Sequence, residues 1–206
     1  VVKWSPTAAS NWRAAEQLSD WLAKRGRVAI GGIDTRRLTR AIRQQGAPHV
    51  ALAYDTDGKF DTADLVDKAR AFAGLEGIDL ARDVTCAQPY RWNELRWAWP
   101  EGYAPQKEPK HRVVALDYGA KRNTLRCLAS AGCPVTVLQA TGTSEEVHAH
   151  KSDGVILTDW PGDPAATWTL SVLMISQIPG PNELSIVGMC LGKQMLALAL
   201  WAQNNQ

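Results

Sequence analysis

Four short apolar runs constrain this chain more than any other feature. Residues 113–116, 135–138, 155–157 and 186–189 are mostly β-branched and bounded by turn residues. Helical patterns lie between them, at 122–131, 144–150 and 165–176. Strands alternating with helices predict βαβ units and a mostly parallel sheet. Runs that are apolar throughout suit strands covered on both faces. In such sheets chemistry gathers at the carboxyl ends of the strands. Here those ends are residues 117–119, 159–164 and 188–194.

Residues 1–110 read differently and carry most of the charge. Ser10 is placed to cap a helix running to about Lys24, with Trp12, Ala15, Leu18, Trp21 and Leu22 on one stripe. Residues 28–30 are a short strand candidate. Asp34 caps a second helix carrying Leu38, Ala41 and Ile42 and closed by Gly46. A third helix spans about residues 61–72. Residues 88–110 hold Pro89, Pro100, Pro105 and Pro109 among Trp92, Trp97 and Trp99, which reads as an irregular connector packed on a domain surface. The expected fold is therefore α/β: a mostly parallel sheet flanked by helices over residues 111–206, preceded by a smaller mixed α/β N-terminal domain over residues 1–110.

Composition removes several classes of function. A net charge of +2, from 23 basic and 21 acidic residues, gives no footprint for nucleic acid or an acidic membrane. No apolar run approaches a membrane span, and the four cysteines form no CxxC pair or metal-spaced cluster. A reduced, cytoplasmic setting with no metal is expected.

The residues that carry chemistry are Gly188-Met189-Cys190-Leu191-Gly192-Lys193-Gln194. An apolar strand ends at Gly188, Cys190 falls on the turn, and a helix rich in Leu and Ala follows. Glycines two residues either side of Cys190 permit a tight strand-to-helix turn, the geometry that presents nucleophiles in hydrolases. A cysteine there sits over a helix N-terminus, which favours thiolate, and the Leu191 amide is placed to meet an oxyanion. An isolated cysteine is more often a small buried apolar residue; this setting reverses the preference.

The pattern resembles the nucleophile signature of class I (triad-type) glutamine amidotransferases. Three further stretches narrow the family. Gly32-Ile33-Asp34-Thr35-Arg36-Arg37-Leu38-Thr39-Arg40, Leu116-Asp117-Tyr118-Gly119-Ala120-Lys121-Arg122-Asn123 and Pro161-Gly162-Asp163-Pro164 are similar to segments of the carbamoyl-phosphate synthase small (glutaminase) subunit, in the same order. The resemblance implies that Cys190 attacks the amide of L-glutamine. It implies that Leu191 and Gly162 help to bind the oxyanion and that Gln194 helps to hold the substrate. Ammonia would pass to a large subunit that uses ATP and bicarbonate to make carbamoyl phosphate for pyrimidines and arginine. The small subunit itself would need no cofactor.

The chain departs from the family in two ways. Asp159 and Trp160 stand where the family has Asn and Gly, and Lys193 replaces a His. His49, His111, His148 and His150 all precede Cys190, and none lies in the family's triad motif. The expectation is a partial chain with little glutaminase activity of its own. Two alternatives stay open: a non-catalytic interaction subunit of the same family, or another class I amidotransferase. The segment from Gly32 to Arg40 weighs against the latter.

Overall fold

The structure, a computed structural model, describes residues 1–74, 76–159, 163, 166 and 184–204, the last four as backbone. It divides into two compact units, Val1–Gly74 and Leu75–Gln206.

The first unit contains α1 (Leu18–Ala23), α2 (Thr35–Gln45) and α3 (Thr62–Ala71). Asp34 caps α2 by accepting the Arg37 amide at 3.0 Å, and Gly46 closes it at φ +88°. Asp61 caps α3 through the amides of Ala63 and Asp64. The helix expected from Ser10 is reduced to α1. Asn11 Oδ1 accepts the Arg13 amide and Gln17 Oε1 accepts the Ala9 amide, so local side-chain bonds hold that stretch out of helix. Residues 28–30 form no strand either. The Ile30 carbonyl accepts one bond from the Val2 amide at 2.9 Å.

The second unit contains α4 (Ala81–Val84), β1 (Tyr90–Trp92), β2 (Val113–Asp117), α5 (Arg122–Ser130), β3 (Val135–Gln139), α6 (Ser144–Ala149), β4 (Gly154–Leu157), β5 (Ser185–Gly188) and α7 (Leu191–Asn204). The strands form one sheet in the order β1-β3-β2-β4-β5, with β1 antiparallel and the other pairings parallel. The four apolar runs are thus four adjacent parallel strands. The helix expected at 165–176 lies outside the described residues.

The first compact unit ends at Gly74, so the expected connector over residues 88–110 lies within the second unit. Tyr90–Trp92 pairs with Val135–Val137 as the sheet's antiparallel edge. Beyond it, Glu94 binds the Arg126 guanidinium at 2.6 Å, Ser130 Oγ accepts the Arg96 amide, and the Gln106 side chain donates to the Ala129 carbonyl. The proline-rich stretch is therefore stitched to α5.

Helices cover both faces of the sheet. Val114, Leu116, Leu138, Val155 and Leu157 pack with Val147 of α6 and with Leu191, Met195 and Ala199 of α7. Ala115, Val135, Val137 and Ile156 pack with Leu125 of α5 on the other face. Adjacent residues of one strand serve opposite cores, which is why these strands read as unbroken apolar runs. Leu116, fully buried in the central strand, is the test of this core. Leu116→Ala should cost about 2–5 kcal/mol in urea unfolding. Val187→Ala, at a position 56% exposed, should cost less than about 0.5 kcal/mol.

Candidate active site

The turn between β5 and α7 is built around missing side chains. The Met189 amide donates to the Leu157 carbonyl at 2.9 Å, carrying the parallel pairing one residue past the strand. The chain then turns at Cys190, whose φ of +51° lies in the left-handed region. For a residue with a Cβ that conformation costs about 1–3 kcal/mol and persists only where the surroundings enforce it. Two close approaches enforce it. A Cβ on Gly188 would lie 2.6 Å from the Gly192 carbonyl oxygen and from Lys193. A Cβ on Gly192 would overlap the Leu157 carbonyl oxygen and lie 2.6 Å from the Leu157 carbonyl carbon. The spacing of Gly188, Cys190 and Gly192 thus has a steric origin on both sides.

This geometry leaves Cys190 exposed at the carboxyl end of the sheet, ahead of the first turn of α7. Amides of that turn are consumed locally: Gly192 donates to the Met189 carbonyl, and Lys193 and Gln194 donate to the Cys190 carbonyl. Leu191, the first residue of the helix, is buried, whereas Lys193 and Gln194 are exposed beside Cys190 in sequence. Gly162, the remaining expected binding residue, lies outside the described residues. Asp163, next to it, accepts the Gly77 amide at 2.9 Å.

The other two strand ends converge on the same edge through Thr158. Its buried hydroxyl donates to the Leu116 carbonyl and accepts the Tyr118 amide, both at 2.9 Å. Asp117 shapes the next turn, its Oδ1 accepting the amides of Gly119 and Ala120 and its Oδ2 that of Cys86. Lys121 then reaches across, and its Nζ binds Asp159 Oδ2 at 2.6 Å. The hydrogen bond and charge of Asp159 hold the Lys121 ammonium above its ordinary range, and Cys190 acts in the same direction. Lys121 is therefore within electrostatic reach of Cys190. Because the folded-state value of Lys121 is raised, whatever its ammonium contributes to stability is lost as alkaline pH rises through that value. Asp159 Oδ1 is buried with no hydrogen-bond partner among the described residues.

Lys121 and Asp159 are 38 residues apart, so no local spacing pointed to their pairing. The available signal was register: Leu116 lies beside Leu157, so residues just past the two strands are neighbours. The histidines are placed elsewhere. His111 precedes β2 and His150 follows α6, both at the opposite end of the strands from Cys190, and His49 stacks edge-on against Phe72 in the first unit.

Two outcomes check this site. Gly192→Ala should destabilise the second unit by more than about 3 kcal/mol in urea unfolding, because α7 must retreat from β4. Iodoacetamide should label Cys190 first near neutral pH, as mapped by mass spectrometry. Cys86 should lag, since burial and then the Asp117 charge push its thiol up. Faster labelling of Cys86, Cys127 or Cys133 would overturn the assignment.

Known families match both units. Residues 1–52 match the carbamoyl-phosphate synthase small chain, CPSase domain, and residues 114–203 match glutamine amidotransferase class-I. The chain is 72% identical over 200 residues to the carbamoyl phosphate synthase small chain of Ruegeria pomeroyi, covering 97% of this chain and 52% of that protein. It is 49% identical over 198 residues to the protein of the same name from Caulobacter vibrioides, covering 96% and 51%. With that of Brucella anthropi it shares 50% over 200 residues, covering 97% and 49%. The chain spans about half the length of the curated relatives it matches. The order of the two matched segments, the elbow at Cys190 and these identities place the chain in the carbamoyl-phosphate synthase small-chain family.

Proposed function

We infer that this chain carries the nucleophile of a glutaminase that supplies ammonia for carbamoyl phosphate synthesis. The observation that carries the reading is the left-handed backbone of Cys190 on an exposed strand-to-helix turn. In this reading Cys190 Sγ attacks the side-chain carbonyl carbon of L-glutamine. The tetrahedral oxyanion faces the Leu191 amide and the loop holding Gly162, and Gln194 on the first turn of α7 contacts the substrate. Collapse breaks the C–N bond, releases ammonia and leaves a thioester, which water hydrolyses to glutamate. No cofactor takes part at Cys190. Ammonia passes to a large synthetase subunit that uses ATP and bicarbonate, in service of pyrimidine and arginine synthesis, and the assembly acts in the cytoplasm. No helix among the described residues is long and apolar enough to cross a membrane.

The leaving amine must be protonated, and His111 and His150 lie at the wrong end of the strands to do so. Proton transfer by a positioned group is worth roughly 10²–10⁴ in rate. The 206-residue chain should therefore release ammonia from glutamine no faster than its Cys190→Ser variant. The full-length protein should release it readily and lose that activity with Cys190→Ser. Full-length protein unaffected by that substitution would refute the role of Cys190.

A second reading, a catalytically impaired subunit kept for its partner contacts, is favoured by Asp159. Its carboxylate engages Lys121 within reach of Cys190, where the family has a neutral amide. If that reading holds, Asp159→Asn should raise glutamine turnover by the full-length protein at least about tenfold, a change of roughly 1.4 kcal/mol in barrier. Unchanged turnover would remove it.

A further inference from the structure

The end of the sheet opposite Cys190 holds a cavity of about 570 Å³, a size that accommodates a small organic ligand. It opens where β2 and β3 begin and where β1 runs antiparallel beside them. Its walls are of two kinds. Trp92 and Val113, both half-buried, supply the apolar surface, while Val114 and Val135 border the cavity with side chains buried in the two cores, and the exposed Arg91, Arg112 and His150 supply cationic or protonatable groups. Among the described residues, no carboxylate lines it.

The backbone of these groups is held by structure independent of any ligand. Arg91 is paired with Thr136 in the β1–β3 ladder. The Arg112 amide donates to Asp153 Oδ2 at 2.6 Å, and its carbonyl accepts the Asp153 amide at 2.8 Å. Asp153, the nearest acidic residue in sequence to Ser152 in the wall, is thus committed to the backbone. Neither Arg91 nor Arg112 forms an ion pair with a carboxylate among the described residues. Two guanidinium groups without ion-pair partners, beside an apolar wall with an indole, fit one ligand chemistry. The flat body packs on Trp92 and Val113, and the anionic head takes the planar N–H fork of an arginine.

We propose that this cavity is a binding site for a small organic anion, an aromatic or similarly apolar body bearing a phosphate or carboxylate. The site is separate from Cys190 and does not depend on glutaminase activity. Isothermal titration of the 206-residue chain with phenyl phosphate, benzoate and neutral benzyl alcohol tests it. At least one of the two anions should bind at least about tenfold more tightly than benzyl alcohol. Phenyl phosphate alone assigns a phosphate head, benzoate alone a carboxylate head, and both a general anion site. Arg91→Gln and Arg112→Gln should each weaken the bound anion about tenfold, while Lys59→Gln in the first unit leaves it unchanged. Circular dichroism confirms that each variant keeps its native helix and strand content. Binding of neither anion, equal binding of benzyl alcohol, or full affinity in both arginine variants would overturn the proposal.

Discussion

The close approach of α7 to the backbone of β4 governs the active edge of this protein. Residue 192 lies against the Leu157 carbonyl, and only a hydrogen in place of a side chain lets the helix come so near. That contact fixes where α7 begins. It leaves one residue, Cys190, to absorb the change of direction between strand and helix, so the strain is concentrated at that cysteine. Packing of Leu191, Met195 and Ala199 under the sheet then holds the turn closed. A strained backbone is maintained because buried contacts on either side over-determine it.

The same edge gathers charge by a different route. Parallel pairing of β2 with β4 places Thr158 between the two strand ends, and its hydroxyl serves both as donor and acceptor there. This brings Lys121 to Asp159, with Lys121 within electrostatic reach of Cys190.

The two ends of the sheet differ in chemical character. The carboxyl end presents a cysteine, a helix start and one ion pair. The amino end presents arginines, a histidine and an apolar wall. The stitched connector from Glu94 to Gln106 contributes to this contrast, since its bonds to α5 carry β1 onto the sheet and so place Arg91 and Trp92.

Much of the second unit was legible in the residues alone. Short runs of mostly β-branched residues suit a strand buried on both faces, and glycines flanking a cysteine suit one kind of turn. Local chemistry also determined the caps at Asp34 and Asp61, because a side chain bonding its own helix depends on no distant residue. What failed was decided by competition or by distance. The helix from Ser10 lost to side-chain bonds at Asn11 and Gln17, which periodicity does not register. The proline-rich stretch read as a connector, yet Tyr90–Trp92 near its start became an edge strand because β3 offered an unpaired side. The Lys121–Asp159 pair and the arginine-lined cavity were invisible in the sequence. Each joins residues tens of positions apart, and only strand register brings such residues into contact.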